Sequence, residues 1–260
     1  MLKINIYDKD FETSILRQLK LIEKLRGKMA CLTTFQELRS LLKCAKQRKL
    51  LSIEPDFQVM MQDIPKKTKR DTYIETKEQM KSFIDACCAS PHGDIFIIAL
   101  LTCSRIGDII DMKWSDINLE EKKWSYFPQK QKKDNKEKVH VPLCNQVLCL
   151  LKAKAKKDNL VFSGYYYRYI DFQWQKLKQN ITIDLKDLHI HDLRRTHLHW
   201  INTSDYLIAQ HSLGHKVTKS AAAIYLSNAA TFEQRKNLVQ NLEDKILNIN
   251  SNFSNAAITA

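Results

Sequence analysis

The chain has 260 residues, 44% of them hydrophobic, which is enough for one large domain or two smaller ones with a buried core. Its formal net charge is +13, and residues 1–70 hold 16 Lys and Arg against 8 Asp and Glu. This excess fits a polyanionic partner, although a merely solvated lysine-rich surface explains it about equally well. Seven cysteines without a C-x-x-C pair, no opening signal peptide and no apolar run near the roughly 20 residues of a membrane span argue against a secreted disulfide scaffold or a membrane protein.

Two helices are predicted in the first 62 residues. Apolar side chains recur at helical spacing over residues 10–28, and Gly27 is expected to end this helix. A second helix is expected to start at Thr34, which would form a capping box with Glu37. Its polar face either binds a polyanion or is simply solvated, and it carries Arg39, Lys43 and Lys46.

A polar, basic segment around Pro65 follows and predicts a linker over residues 63–73. Helical patterns resume at a second capping box, formed by Thr76 and Gln79. The apolar run over residues 94–114 then predicts a buried helix, a turn near Cys103 and more helix.

A β-hairpin is predicted next, because residues 124–143 alternate in polarity on both sides of Asp134 and Asn135. Helical patterns continue from Asn145 through residue 247. The remaining tail has no periodicity, so we expect it to be disordered.

The stretch HIHDLRRTHLHW, residues 189–200, collects four histidines and two adjacent arginines at the start of a predicted helix. The histidines lack the H-E-x-x-H arrangement of a helical zinc site, and the arginines would repel a cation. Helix capping explains Asp192 but leaves Arg194 and Arg195 without a role. A phosphate is the remaining partner, since a guanidinium matches two phosphate oxygens at once, and His191 lies one helical turn before Arg194.

Three stretches taken together resemble the tyrosine recombinase family, the phage-integrase-like enzymes that exchange DNA strands. LLTCSRIGD, residues 100–108, is similar to the family's T-G-[LA]-R-x-x-E/D pattern. HDLR, residues 191–194, is similar to its H-x-L-R pattern, and LGH, residues 213–215, is followed ten residues later by Tyr225. Each motif alone is weak, whereas their order and spacing make the set highly specific.

The resemblance extends over roughly residues 73–228 and more loosely over residues 30–60. It implies a mainly α-helical fold with a small antiparallel β-sheet, in which a tyrosine recombinase-like catalytic domain follows a short helical DNA-binding domain. The chain departs from the family at Cys103, where glycine is usual, and in its first 62 residues, where two helices stand in place of about four. We predict a shortened helical domain over residues 1–62 and a linker over residues 63–73. A catalytic domain over residues 74–248 and a disordered tail over residues 249–260 would follow.

The resemblance implies that Tyr225 attacks the scissile phosphodiester and forms a 3′-phosphotyrosyl bond, which releases a 5′-hydroxyl. Two arginines would hold the phosphate oxygens, one histidine would act as general base or acid, a second would donate a hydrogen bond to the phosphate, and a hairpin lysine would protonate the leaving oxygen. Lys133 is chosen over Lys132 and Lys136 because it directly precedes the predicted turn. No metal or other cofactor is implied. The two arginines would be Arg105 and Arg194. His191 would be the general base or acid, His215 the second histidine and Lys133 the hairpin lysine.

The same resemblance implies double-stranded DNA as the partner, a homotetramer on paired sites, no membrane, and a cytoplasmic, nucleoid-associated location. The candidate DNA contacts are basic residues of the second helix, the linker and the histidine-rich helix, namely Arg39, Lys43, Lys46, Lys66, Lys67 and Arg195.

The final predicted helix begins at a capping box of Thr231 and Gln234 and carries a narrow apolar stripe. The stripe either covers the chain's own core or packs into a neighbouring copy, as the helix beyond the nucleophile does in the family. Its residues are Leu238, Val239, Leu242 and Ile246.

Two other functions are compatible with these residues. A type IB topoisomerase shares the chemistry, although the adjacent L-G-H and the short hairpin favour the recombinase. A non-catalytic DNA-binding regulator would keep the charge and lack the strand cleavage.

Overall fold

The structure, a computed structural model, divides into two compact units, residues 1–71 and 72–260. No helix in the described part of the chain is long and apolar enough to cross a membrane. The finer boundaries proposed from the sequence remain predictions. The residues that the structure describes are 11–50, 61–62, 64–65, 72–129, 138–154, 158–185, 187–203, 206–214, 228–251 and 253.

The first unit contains two helices, α1 (Phe11–Arg26) and α2 (Lys28–Gln47), which pack against each other. Gly27, with φ +86°, separates them, so the predicted end of the first helix is confirmed. The predicted capping box at Thr34 is wrong, because α2 starts at Lys28. Cys31, about one turn before Thr34, is already a buried residue of this helix. The small core of this unit consists of Ile15, Leu19, Cys31, Phe35, Leu42 and Ile64.

The second unit is mainly helical with one small sheet, as predicted. Its described helices and strands are, in chain order, α3 (Lys77–Cys88), α4 (Gly93–Thr102), α5 (Ile106–Ile110), a 3₁₀ turn (Trp114–Asp116), β1 (Ile117–Asn118), β2 (Lys123–Tyr126), β3 (Val139–Pro142), α6 (Asn145–Ala153), α7 (Tyr167–Gln179), α8 (Asp192–Ile201), α9 (Tyr206–Ser212) and α10 (Asn228–Ile249).

Helix α4 is the centre of this unit, since all ten of its residues are buried. Helices α3, α6, α8 and α10 pack against it. The capping box predicted at the start of α3 is present, with the Thr76 hydroxyl accepting from the Gln79 backbone N–H and the Gln79 side chain accepting from the Thr76 N–H.

The sheet has the order β1-β2-β3 and is antiparallel throughout. Strand β2 is central, with Trp124 opposite Ile117 on one side and opposite Val141 on the other. Strands β2 and β3 are the arms of the predicted hairpin, which is confirmed to that extent. Its tip, residues 130–137, lies outside the described residues.

Helix α10 covers the core of its own chain. Val239, Leu242 and Ile246 are at most 4% exposed, and α10 packs against α3, α4, α6, α8 and β3. This burial fits the first of the two alternatives for the apolar stripe, in which it covers the chain's own core. Its packing into a neighbouring copy stays a prediction. The predicted capping box at Thr231 is also wrong, because the helix starts at Asn228.

The predicted disorder from residue 249 onward is wrong for the first residues of that segment. Asn250 is 3% exposed and donates from its side chain to Asp85, at 2.7 Å. Phe253 is fully buried in the main core, and its carbonyl accepts a 2.7 Å hydrogen bond from the Gln146 side chain. A single aromatic residue gains enough from burial to hold a segment that has no periodicity of its own.

Candidate active site

The turn that follows α4 brings Arg105 to the site. Helix α4 ends at Thr102, and Cys103 adopts the left-handed conformation with φ 56°. Glycine, which the resemblance leads us to expect at this position, adopts this conformation without steric cost. The Cys103 side chain is fully buried, and its Sγ lies 3.6 Å from the carbonyl oxygen of Arg194. The turn predicted near Cys103 is thus confirmed.

Asp108 connects Arg105 to the hairpin. One carboxylate oxygen lies 3.9 Å from Arg105 Nη1 and accepts a long hydrogen bond, 3.4 Å, from the Tyr126 hydroxyl. The other accepts from the Gln129 backbone N–H at 3.3 Å. Burial raises the pKa of Asp108, while the Gln129 N–H and the charge of Arg105 act in the opposite direction. This carboxyl group therefore links α5 to the strand from which the hairpin tip departs.

Arg194 lies in the first turns of α8 and is only 4% exposed. Nη1 donates to the carbonyl oxygen of Cys103 and Nη2 to that of Leu213, each at 2.6 Å. Nε is buried and has no hydrogen-bond partner among the described residues. Burial is the largest cause of the lowered pKa of Arg194, and the charge of Arg105 contributes in the same direction. Two neighbouring cations, one of them buried with a free donor, form a site that favours an anion.

His191 immediately precedes α8 and lies one turn before Arg194, whose N–H bonds to the His191 carbonyl at 3.3 Å. His191 is exposed to solvent. Partial desolvation, followed by the charge of Arg194, lowers the pKa of His191 below 6.5, although Asp192 opposes the shift. The imidazole is therefore mostly neutral near pH 7 and able to accept a proton.

The other histidines of the stretch have structural contacts. His197 is buried, and its Nδ1 lies 2.8 Å from the Leu100 carbonyl oxygen. The backbone N–H of His189 donates to Asp192, and the His199 ring lies 4.7 Å from the Tyr73 ring. Within the described ranges, no group of three or more His, Cys, Asp and Glu side chains could hold a metal ion.

Arg195, beside the buried Arg194, is half exposed and lies 3.5 Å from an Asp192 carboxylate oxygen. Arg39, Lys43 and Lys46 are exposed on α2 in the other unit. Five further predicted site residues lie outside the described part of the chain: Lys66, Lys67, Lys133, His215 and Tyr225.

The described chain reaches to within one residue of His215. After α9, Leu213 and Gly214 form a tight turn in which Gly214 has φ +60°. Because Arg194 holds the Leu213 carbonyl oxygen, the segment that carries His215 starts next to the Arg194 guanidinium. Arg105, His191 and Arg194 are thus brought together with the beginning of the L-G-H motif.

Three contributing residues were missed by the sequence analysis. Tyr126 and Gln129 contact Asp108 from the hairpin, and Arg235 of α10 donates to the carbonyl oxygen of His211 in α9. No local pattern marks any of them, because each contact joins residues 18 or more positions apart.

Comparison with known proteins decides the family. Residues 75–231, more than half of the chain, match the sequence model of the phage integrase family. The chain belongs to the phage integrase family. The predicted family and fold class are thereby confirmed, and the matched residues include Arg105, His191, Arg194, His215 and Tyr225.

Individual relatives of this family member agree with that assignment. A Haemophilus influenzae protein assigned as an integrase/recombinase is 31% identical over 110 residues, which cover 41% of this chain and 29% of that protein. The integrase of transposon Tn1549 in complex with a circular intermediate DNA has a TM-score of 0.64 at 14% identity, covering 89% of this chain and 82% of that one.

Lambda integrase gives similar values. A dimer bound to a COC′ core site has a TM-score of 0.63 at 16% identity, covering 83% of this chain and 82% of that one. A lambda integrase tetramer bound to a Holliday junction has a TM-score of 0.58 at 16% identity, with 82% and 63% coverage. At these identities the structural matches establish the fold.

Proposed function

We propose that this phage integrase family member is a site-specific DNA recombinase that cleaves and rejoins duplex DNA through a 3′-phosphotyrosine intermediate. The observation that carries the proposal is the arginine pair, in which buried Arg194 is fixed by two backbone carbonyls beside Arg105. Such a pair matches the non-bridging oxygens of a phosphodiester.

The donor count of Arg194 supports a phosphate ligand. A guanidinium has five N–H donors, and the carbonyls of Cys103 and Leu213 use two of them. Nε–H and one N–H on each terminal nitrogen remain for a ligand. Because the side chain is already oriented, the charge that develops on the phosphate in the transition state meets donors that need no reorganisation.

The proposed step balances with residues of this chain alone. The Tyr225 hydroxyl attacks phosphorus and gives its proton to neutral His191, and the bond from phosphorus to the 5′-oxygen breaks. Lys133 supplies a proton to that oxygen, so a free 5′-hydroxyl leaves, and His215 donates a hydrogen bond to the phosphate. Rejoining is the reverse reaction, since the energy of the cleaved bond is kept in the phosphotyrosyl ester.

DNA contacts are proposed for the basic face of α2. Arg39, Lys43 and Lys46 recur at intervals of four and three residues, which places them on one side of the helix, and all three are exposed. Lys66, Lys67 and Arg195 are proposed to add phosphate contacts. Backbone contacts of this kind position a protein on duplex DNA without reading its sequence.

We further propose a homotetramer on paired sites, on the precedent of the lambda integrase tetramer bound to a Holliday junction. The apolar stripe of α10 packs on its own chain in the single copy, so an exchange of this helix between copies would have to replace those contacts. Cytoplasmic, nucleoid-associated DNA is the expected substrate.

The experiment uses overlapping duplexes that cover the DNA flanking the gene, each nicked so that cleavage releases a short 5′-hydroxyl fragment. Incubation with the full chain in EDTA should leave a protein–DNA adduct that survives a denaturing gel on a restricted set of duplexes. Binding without an adduct would indicate the DNA-binding regulator. Adducts on every duplex, together with supercoil relaxation lacking site preference, would indicate a topoisomerase.

A further inference from the structure

Arg235 of α10 is a buried cation outside the residues matched by the family model, which end at 231. Its side chain is 6% exposed, and burial lowers the pKa of Arg235 to about 10. Placing a guanidinium in such surroundings is costly unless it makes compensating contacts. The contacts that compensate for the burial of Arg235 therefore indicate what this residue does.

One contact of Arg235 is with the end of helix α9. Nη1 donates to the carbonyl oxygen of His211 at 3.3 Å, and the same oxygen accepts the N–H of Gly214 at 3.0 Å. The last carbonyls of a helix carry a partial negative charge and lack partners within the helix, so a cation there is stabilising.

The same turn is held by Arg194, which donates to Leu213 two residues further along the chain. Four consecutive residues, 211–214, are therefore fixed by two buried arginines that come from different helices. Gly214 closes the turn with φ +60° and lies close to Val139 of β3, which leaves only ordinary contact distance for a Cβ.

The contact between Arg235 and His211 joins residues on the two sides of the segment 215–227. Residues 211–214 directly precede the segment 215–227, and α10 directly follows it. His215 and Tyr225 both lie in this segment. The hydrogen bond from Arg235 to His211 thus joins the two flanks of the segment that carries the proposed nucleophile.

The charge of Arg235 also faces the remainder of the site. Burial raises the pKa of Cys103, in the turn before Arg105, and the charges of Arg194, Arg105 and Arg235 oppose that rise. Desolvation lowers the pKa of His140 on β3, and the charges of Lys123 and Arg235 act in the same direction. The Arg235 side chain is thus almost fully buried, and its charge acts on the turn that leads to Arg105.

We propose that Arg235 is a positioning residue, which fixes the turn 211–214 and, through the Leu213 carbonyl oxygen in that turn, the Arg194 guanidinium that would hold the phosphate. It acts through the backbone of α9 and does not touch the DNA. This inference rests on the proposed recombinase function.

The test compares Arg235→Met and Arg235→Lys with Lys236→Met. This control removes the same charge one residue away, from a partly exposed lysine paired with Glu233. Adduct formation is measured in a single turnover, with protein saturating the nicked duplex that reacts with the wild type, and is expressed per DNA-bound molecule. DNA affinity and thermal unfolding are measured on the same preparations.

We expect Arg235→Met to slow adduct formation about 100-fold, which is the size of effect that a displacement of about 1 Å causes, with little change in DNA affinity. Arg235→Lys should fall between this variant and the wild type, since an ammonium still donates to His211. Lys236→Met should match the wild type.

Adduct formation by bound Arg235→Met at the wild-type rate, with only the unfolding temperature lowered, would show a purely structural role and overturn the proposal. If the methionine variant does not fold, Arg235→Lys decides: a rate about tenfold below wild type supports positioning, and an unchanged rate refutes it. A wild-type protein that forms no adduct refutes the recombinase function instead.

Discussion

Arg194 Nη1 donates a 2.6 Å hydrogen bond to the carbonyl oxygen of Cys103, in the turn that leads to Arg105. The two arginines lie 89 positions apart in the sequence. Arg105 immediately precedes α5, and Arg194 lies in the first turn of α8. This hydrogen bond holds the Arg194 guanidinium to the backbone two residues before Arg105, so their separation does not depend on a flexible side-chain contact. Arg105 and Arg194, the proposed phosphate clamp, are therefore preorganised in the absence of DNA.

Arg194→Lys is expected to reduce adduct formation by about 10²–10³-fold, although the charge is kept. A lysine ammonium cannot reach the carbonyls of Cys103 and Leu213 and present a planar fork to the phosphate at the same time. Single-turnover cleavage of the nicked duplex measures the loss. Arg168→Lys, at an exposed position of α7, is the matched control and should react at the wild-type rate. Equal rates for both variants would contradict the clamp.

Asp108→Asn should separate activity from stability. Since burial raises the pKa of Asp108, its charged form is disfavoured in the folded protein, so a neutral amide should leave the free energy of unfolding at pH 7 unchanged or higher. Adduct formation should nevertheless fall about tenfold, because Arg105 loses its carboxylate partner. Urea unfolding and single-turnover cleavage give the two quantities. Asp111→Asn, at an exposed position, serves as control, and a loss of stability in Asp108→Asn would disprove the argument.

DNA affinity should fall steeply with salt. Contact with about 6–10 phosphates costs roughly 10³–10⁵ in affinity between about 50 and 200 mM salt. Replacing Lys43 of α2 by alanine should reduce the slope of log affinity against log salt by about one. Lys20→Ala removes an equal charge from an exposed position of α1 and should leave the slope nearly unchanged. Titrations at four salt concentrations suffice, and equal changes in both variants would show that only net charge matters.

His197 should make the folded protein less stable in acid. Burial lowers the pKa of His197 to about 4, whereas in the unfolded chain it is 6.5, so between these values the unfolded state binds the extra proton. The free energy of unfolding should therefore fall as the pH drops from 6.5 to 4, by about 3 kcal/mol from this residue. His197→Gln should flatten this part of the curve, and His199→Gln, at an exposed position, should not. If the free energy of unfolding has the same pH dependence in the wild type and in His197→Gln, another residue causes the acid sensitivity.

The sequence predicted those parts of the site that depend on local spacing. Arg105, His191 and Arg194 were found because each stands in a short motif, and the turn at Cys103 followed from the end of an apolar run. The capping box at Thr76 was correct for the same local reason.

Where tertiary packing decides, the prediction was wrong or missed the residue. The sequence signal at Thr34 marks no helix start, because burial of Cys31 one turn earlier extends α2 toward Gly27. Likewise, the burial of Phe253 against Gln146, 107 positions away, could not be read from an aperiodic tail. Arg235 was missed because its role depends on how α9 and α10 pack.

The most direct test of the account replaces the nucleophile alone. Tyr225→Phe should bind the reactive duplex with wild-type affinity and form no covalent adduct in EDTA, because only the attacking hydroxyl is lost. Tyr167→Phe, which removes a hydroxyl from an exposed position of α7, is the matched control and should give a wild-type adduct. The measurement is the adduct band on a denaturing gel. An undiminished band from Tyr225→Phe would contradict the phosphotyrosine mechanism.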